Sequence, residues 1–237
     1  MRLPFVKMHG CGNDYIYIDC RERELADPAA LSRRLSDRHF GIGADGIILI
    51  LPSTQADYRM RVFNADGSEA EMCGNGIRCF AKYVIERGLA PAGKKDLRVE
   101  TRAGVRAVLA TMDGAKVSAV RVGMGQPVFK PMDIPVSGAD MSYARGHLNL
   151  DMVVDYPILV SGETMRVTCL SMGNPHAVHF LGTPVGGWPL REVGPVVERH
   201  FFFPKRVNFE IVNVLEGGRL RARVWERGVG ETLACGS

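Results

Sequence analysis

The sequence lacks any long hydrophobic run. Its longest purely aliphatic stretch, Ile47 to Leu51, is far shorter than the ~20 apolar residues that span a bilayer. No apolar stretch near the N-terminus is long enough for a secretory signal. The chain also lacks an excess of either charge, because 30 lysines and arginines are scattered among 26 aspartates and glutamates. We therefore expect a cytoplasmic protein that binds neither membranes nor nucleic acids.

Composition and length set further limits. Hydrophobic residues make up 46% of the 237 residues and charged residues 24%, which is typical of a globular protein. The chain is too long for one small domain and short for two, at ~150 residues per domain. A chain of this size without an export signal is expected to keep its cysteines reduced. The six cysteines are Cys11, Cys20, Cys73, Cys79, Cys169 and Cys235.

Hydrophobic periodicity predicts short strands and few helices. One helix begins at Asp27-Pro28, because aspartate caps a helix and proline favours its first position. A second helix follows Cys73, where apolar residues recur with helical spacing until Gly88. Pro189 to Glu198 predicts a third helical segment. Predicted strands are Leu3–Met8, Tyr15–Cys20, Ile47–Leu51 and Tyr58–Asn64, with two or three more between Leu97 and Met124, and Gly10, Gly12, Asn13 and Asp14 are predicted to form a turn.

An internal repeat runs through the chain. Four short motifs recur in the same order, at an offset of 161 or 162 residues. Their common order predicts two homologous halves, residues 1–124 and 125–237, related by a pseudo-twofold axis. Gly125 to Leu150 has weak periodicity and is the candidate inter-domain segment. The motif pairs are Gly12-Asn13-Asp14 with Gly173-Asn174-Pro175, Arg38-His39-Phe40 with Arg199-His200-Phe201, Glu69 with Glu231, and Cys73-Gly74-Asn75 with Cys235-Gly236-Ser237.

The two repeated cysteines suit acid–base chemistry. Cys73 directly precedes a predicted helix, whose free N–H groups and dipole stabilise anions and lower a thiol pKa from ~8.5 toward neutrality. Its repeat mate Cys235 is expected to oppose it between the two halves, where ligand sites prefer to lie. One thiolate would remove a proton from a bound carbon, and the other thiol would deliver one to the opposite face. His176 and Glu226 are the polar side chains near the motifs that could act as proton partners.

Four longer stretches carry a more specific signal. They are Lys7–Asp14, Phe63–Gly76, Met172–His176 and Glu226–Ser237. Together they resemble the diaminopimelate epimerase family, whose members interconvert LL- and meso-diaminopimelate without pyridoxal phosphate, in bacterial lysine and peptidoglycan-precursor synthesis. The resemblance extends from end to end of the chain. It implies an isomerase of α+β fold, with two pseudo-twofold-related domains, each a mixed, mostly antiparallel sheet wrapped around a central helix.

The resemblance implies roles for individual residues, and it implies neither a metal nor another cofactor. The two repeated cysteines match the acid–base cysteines of the family, and His176 and Glu226 match the residues that assist them. The backbone amides of Gly74-Asn75 and Gly236-Ser237 match those that bind the reacting carboxylate. The implied partner is a small molecule, diaminopimelate, and a homodimer is one assembly that stays open. The side chains at substrate-binding positions are Asn13, Asn64, Asn174, Asn208, Glu226 and Arg227.

Two features depart from the family pattern. Gly46 stands where some members carry glutamine, so any contact at that position would be made by the backbone. The chain ends at Ser237, whereas the first half continues with a helix and strands after its own cysteine. We therefore expect a second domain that is truncated after Cys235 and is inactive or poorly folded.

Four other interpretations fit parts of the sequence. Gly41 to Gly46 fits a dinucleotide-binding glycine pattern, but it follows a helix and precedes a strand, the reverse of the required order. A proline racemase-like enzyme or an isomerase of unsaturated acids would share the fold, although the former is expected to carry histidine where this chain has Asn75. A third interpretation is a non-catalytic small-molecule-binding fragment. A fourth is a redox or zinc protein using Cys73 and Cys79, although zinc sites favour short, paired spacings.

Overall fold

The computed structural model describes residues 2–137 and 152–236. Much of the candidate inter-domain segment, Gly125 to Leu150, therefore lies outside the described residues. The chain divides into two compact units, one containing the residues up to Gly125 together with Gly236, the other the described residues from Gln126 to Cys235. No helix in the described ranges is long and apolar enough to cross a membrane.

The first unit is built on a mixed sheet of eight strands. Its strand order is β1-β2-β3-β4-β6-β7-β8, with the short β5 paired to β4. The β2–β3 and β4–β6 pairs are parallel and the other pairs are antiparallel. The strands are β1 (Val6–Gly10), β2 (Asn13–Asp19), β3 (Gly46–Leu51), β4 (Tyr58–Asn64), β5 (Glu69–Ala70), β6 (Asp96–Thr101), β7 (Gly104–Asp113) and β8 (Lys116–Val122).

Two helices complete the first unit, and both begin where the sequence predicts. Helix α1 (Pro28–Ser36) starts with proline, and the Asp27 side chain accepts a hydrogen bond from the Ala30 N–H. Helix α2 (Gly74–Glu86) follows Cys73, and its apolar face, including Ile77, Phe80 and Val84, is fully buried. Strands from both ends of the sheet, β1 and β2 as well as β7 and β8, contact α2. The sheet therefore curls around this helix.

The second unit contains a six-stranded sheet in the order β14-β13-β12-β11-β10-β9. Only the β11–β12 pair is parallel. Helix α3 (Leu190–Glu198) packs on β12, β13 and β14. The strands are β9 (Val153–Val160), β10 (Glu163–Ser171), β11 (Pro175–Phe180), β12 (Asn208–Val214), β13 (Leu220–Glu226) and β14 (Gly230–Thr232).

Six consecutive elements of the first unit recur in the second. Strands β1 to β5 with α1 correspond in chain order to β10 to β14 with α3, and successive pairings in both are antiparallel, parallel, antiparallel and antiparallel. An ion pair is repeated as well, since Arg61–Glu69 recurs 162 residues later as Arg223–Glu231. The expected α+β class with mixed, mostly antiparallel sheets is thus confirmed. Within the described residues, the second unit contains the counterpart of α1 but none of α2.

The predicted turn near the N-terminus is wrong in its extent. Asn13 and Asp14 belong to β2, and Gly10 pairs directly with Asn13, so that only Cys11-Gly12 forms the turn. Both turn residues have positive φ, 53° and 81°, as a two-residue hairpin of this type requires. Asn208, one of the predicted substrate-binding residues, is likewise the first residue of a strand, β12.

Close packing of α3 on β13 depends on a glycine. A Cβ on Gly194 would lie 2.6 Å from the Trp225 ring. The ring is anchored, because Trp225 Nε1 donates a hydrogen bond to the buried Glu198 carboxylate at 2.8 Å. The indole therefore has little freedom to make room for a larger residue.

We expect Gly194→Ala to destabilise the fold by ~1–3 kcal/mol through overpacking, although alanine is normally the better residue inside a helix. Urea unfolding followed by tryptophan fluorescence measures the difference. The matched control is Gly182→Ala, where a Cβ would meet nothing within 4 Å. Equal stability of the two variants would contradict the expectation.

Candidate active site

Cys73 occupies the N-cap of α2. Its Sγ accepts a hydrogen bond from the Gly76 N–H at 3.3 Å and donates one to Asn13 Oδ1 at 3.3 Å. The residue is only 9% exposed. A helix N-terminus and a backbone N–H donor both favour negative charge on the sulfur. The position predicted for the first acid–base cysteine is therefore one that stabilises a thiolate.

A carboxylate fixes the orientation of Asn13. The Asn13 Nδ2 donates to Asp45 Oδ2 at 2.8 Å, and Arg38 binds the other oxygen of Asp45 at 2.8 Å. Since the amide nitrogen is committed to Asp45, the amide oxygen points to the Cys73 thiol. Asp45 is a residue that the sequence analysis did not single out.

The other predicted site residues of the first unit lie at the ends of two elements. Gly74 and Asn75 begin α2, and Asn64 ends β4. Asn75 is buried, and its Oδ1 accepts a hydrogen bond from Arg78 at 2.6 Å. Asn64 is buried at the end of β4, where its Nδ2 donates to Ser68 at 3.1 Å. Gly74 lies against the backbone of Gly236, which would stand 2.8 Å from a Cβ at position 74. Ser237 lies outside the described residues.

In the second unit, His176 forms the centre of a buried polar cluster. Its Nδ1 lies 2.7 Å from Glu210 Oε1, and its Nε2 lies 3.1 Å from Asn174 Oδ1. Ligand atoms of His176, Glu210 and Cys235 all lie within 4.8 Å of one another. The second repeated cysteine is therefore next to the histidine that the sequence analysis named.

Asn208, Glu226 and Arg227 form a connected group at the ends of β12 and β13. Asn208 is buried, its Nδ2 donates to the Pro175 carbonyl at 2.8 Å, and its Oδ1 accepts from the Arg227 N–H at 2.9 Å. Thr232 donates its hydroxyl hydrogen to Glu226 Oε1 at 2.7 Å. Asn208 thus ties β11 to the loop that carries Arg227, and Thr232 orients Glu226.

Three polar side chains of the site were not predicted from the sequence: Asp45, Glu210 and Thr232. Glu210 left a signal, since it is a carboxylate within a strand that is otherwise largely buried and apolar, from Phe209 to Val212. No sequence pattern marks Asp45 or Thr232, because each acts by binding another side chain. Their roles require knowledge of which strands are neighbours.

The remaining cysteines have other surroundings. Burial raises the pKa of the Cys20 thiol to about 11 and raises the pKa of Cys79. Burial, followed by the charge of Glu210, raises the pKa of Cys169 far above its ordinary value. Cys11 is exposed. Cys73 and Cys79 do not belong to a metal-binding cluster in the described part of the chain.

Comparison with known proteins identifies the relationship. The family model for diaminopimelate epimerase matches residues 5–130 and 168–237. The chain belongs to the diaminopimelate epimerase family. It is 52% identical over 236 residues to diaminopimelate epimerase of Agathobacter rectalis and 49% identical over 235 residues to that of Acetivibrio thermocellus. These matches cover 99% of this chain and 80% and 79% of the two relatives.

Solved structures place the fold among those of other amino-acid epimerases. A hydroxyproline epimerase from Agrobacterium vitis matches with a TM-score of 0.69 at 15% identity, over 98% of this chain and 72% of its own. A probable proline racemase from Agrobacterium radiobacter matches with a TM-score of 0.68 at 15% identity, over 99% and 74%. At such low identity the likeness concerns the fold alone. The α+β class expected from the sequence is thereby confirmed.

The thiol environments predict an order of alkylation by iodoacetamide. Exposed Cys11 should react readily at pH 8, whereas Cys20 should react slowly, because a pKa of about 11 leaves it almost wholly protonated. The Cys20 rate should rise about tenfold per pH unit below that value, in proportion to its thiolate fraction. Peptide mass spectrometry between pH 7 and 9 measures both rates. A Cys20 rate equal to that of Cys11 at pH 8 would show this assignment to be wrong.

Proposed function

We propose that this chain catalyses the epimerisation of LL-diaminopimelate to meso-diaminopimelate, with Cys73 and Cys235 as the two acid–base groups. Membership of the diaminopimelate epimerase family supports the reaction. The observation that carries the residue assignment is the N-cap position of Cys73, together with the proximity of its repeat mate Cys235 to His176. A backbone N–H donor at the Cys73 sulfur and a histidine beside Cys235 support the assignment.

The proposed chemistry needs no cofactor. One cysteine, as thiolate, takes the α-proton, and the electron pair of the broken C–H bond remains on the substrate. The other cysteine, as thiol, donates its proton to the opposite face of the same carbon and becomes the thiolate. The product has the inverted configuration, and the two sulfurs have exchanged protonation states. The reverse reaction uses the same groups in exchanged roles.

Binding of the reacting carboxylate is assigned to backbone amides. Those of Gly74-Asn75 begin α2, where free N–H groups and the helix dipole attract anions. They would also stabilise the charge that develops when the α-proton leaves. Gly236-Ser237 is proposed to contribute the equivalent amides in the second half, with residues 1–124 and 125–237 as the two repeat domains.

The remaining polar side chains are proposed to bind the rest of the substrate. Diaminopimelate carries two carboxylates and two ammonium groups, so that both donors and acceptors are required. Arg227 would donate to a carboxylate, and Glu226 would accept from an ammonium group while assisting a catalytic thiol. The amides assigned to substrate binding are Asn13, Asn64, Asn174 and Asn208.

The cellular setting belongs to the same proposal. We place the reaction in bacterial lysine and peptidoglycan-precursor synthesis, in the cytoplasm, with a homodimer as the proposed assembly. The rival function is racemisation of a proline-like amino acid. A hydroxyproline epimerase and a probable proline racemase have similar folds, but Asn75 stands where a proline racemase would be expected to carry histidine. Offering proline and diaminopimelate in parallel assays separates the two.

Cys73→Ala and Cys235→Ala are each expected to slow conversion of LL- to meso-diaminopimelate by ~10²–10⁴-fold, because each removes one general acid–base group. Proton NMR in D₂O follows deuterium incorporation at the α-carbon. Cys20→Ala is the matched control, since that cysteine is buried in a separate apolar cluster. Full activity of either active-site variant would refute the two-thiol assignment.

Arg227→Ala is expected to raise KM for diaminopimelate about 10- to 100-fold, since a charge-assisted hydrogen bond contributes about 1.5–3 kcal/mol. The kcat should change much less, because Arg227 is assigned to a part of the substrate that does not react. Steady-state kinetics measures both constants. Arg219→Ala, an exposed arginine in the turn between β12 and β13, serves as control, and an unchanged KM for Arg227→Ala would overturn the assignment.

A further inference from the structure

We propose that Glu210 is a positioning residue for this reaction, which orients His176 and stabilises its protonated form beside Cys235. The proposal rests on the function proposed above and adds a residue that neither the sequence motifs nor the family resemblance had marked. It is carried by the hydrogen-bond geometry of the His176 ring, by the burial of both side chains, and by a comparison of the two repeats.

Both nitrogens of the His176 ring face oxygen atoms. Glu210 Oε1 lies 2.7 Å from Nδ1, and Asn174 Oδ1 lies 3.1 Å from Nε2. A neutral imidazole has only one N–H and could satisfy only one of these acceptors, whereas the imidazolium has two. The observed arrangement therefore matches the protonated ring, with the Glu210 carboxylate as its counter-ion.

Because both side chains are largely buried, the charge on Glu210 needs a partner. The side chains of His176 and Glu210 are 5% and 12% exposed, and Glu210 Oε2 is a buried atom without a hydrogen-bond partner. A carboxylate in such a place is costly unless a cation lies against it. Among the described residues, the other titratable groups that interact with or lie next to Glu210 are the thiols of Cys169 on β10 and Cys235 after β14, while β13 places apolar Val224 opposite Glu210. His176 is the group that can supply the positive charge.

The repeat shows that the fold does not require this pair. By the offset of 162 residues Glu210 corresponds to Ile48, and the matched strand pairings make His176 the counterpart of Tyr15. Ile48 is fully buried and Tyr15 nearly so. The first half thus builds the same strand pair with an apolar side chain at the position where the second half has a carboxylate. Since the fold does not need the carboxylate, the difference indicates that Glu210 serves the reaction.

The His176–Glu210 pair lies next to Cys235. The Cys235 sulfur lies within 4.8 Å of a side-chain nitrogen of His176 and of a carboxylate oxygen of Glu210. When Cys235, as thiol, has given its proton to the substrate carbon, its thiolate lies beside the imidazolium of His176, and Glu210 stabilises the cation of that pair. An adjacent imidazolium favours a cysteine thiolate. Glu210 therefore acts on the thiol through His176 and touches no reacting atom itself.

The test compares Glu210→Gln with Glu210→Asp. Glutamine keeps a hydrogen-bond acceptor for Nδ1 but removes the charge, whereas aspartate keeps the charge. For Glu210→Gln we expect the pH of half-maximal iodoacetamide alkylation at Cys235 to rise by about one unit or more, with a ~10-fold slower reaction at pH 7. Glu210→Asp should recover most of the difference. Peptide mass spectrometry separates Cys235 from the other thiols.

Activity provides the second readout. Glu210→Gln should lower kcat for diaminopimelate about 10-fold or more while KM stays within about twofold, because no substrate contact is lost. Glu216→Gln, an exposed glutamate in the turn after β12, is the control. A Glu210→Gln protein that retains its thermal unfolding midpoint and shows an unchanged alkylation profile at Cys235 would overturn the proposal.

The two proposals fail in different ways. Alkylation requires no substrate, so it judges Glu210 even if the chain does not epimerise diaminopimelate. Conversely, wild-type turnover of diaminopimelate with an unaltered alkylation profile in Glu210→Gln would keep the proposed function and reject the role of Glu210.

Discussion

The close approach of the α2 N-terminus to the sheet is the constraint on which the first unit depends. Glycine makes it possible, because a Cβ on Gly76 would lie 2.5 Å from Ile48 Cδ1, and one on Gly10 would lie 2.8 Å from the Asn75 carbonyl oxygen. Tyr17 then donates a buried hydrogen bond to the Gly76 carbonyl at 2.9 Å. The helix start, with Cys73 at its cap, is thereby held against the strands that carry Asn13.

The repeat separates what the fold needs from what the chemistry needs. Ion pairs occur at equivalent positions in both halves, as in Arg61–Glu69 and Arg223–Glu231, and the strand pairings are the same. Other equivalent positions differ, since Ile48 is replaced by Glu210. Features that are shared belong to the architecture, and features that differ are the candidates for a role in chemistry.

Local signals predicted the helices and most strands. The cap at Asp27, the proline at position 28 and the apolar face of α2 are local in sequence, and the structure agrees with each. The turn near Cys11 was overestimated because glycine, asparagine and aspartate all favour turns, whereas pairing with β1 and β3 draws Asn13 and Asp14 into β2.

By itself, the sequence determined the element order, the repeat, the family and the principal candidate residues, because these follow from local patterns and motif spacing. Only the tertiary structure decided which polar side chains bind and orient those candidate residues. Asp45 binds Asn13 across 32 positions and Glu210 binds His176 across 34. Such pairs depend on which strands lie side by side, and hydrogen bonds act over a few ångströms whatever the separation along the chain.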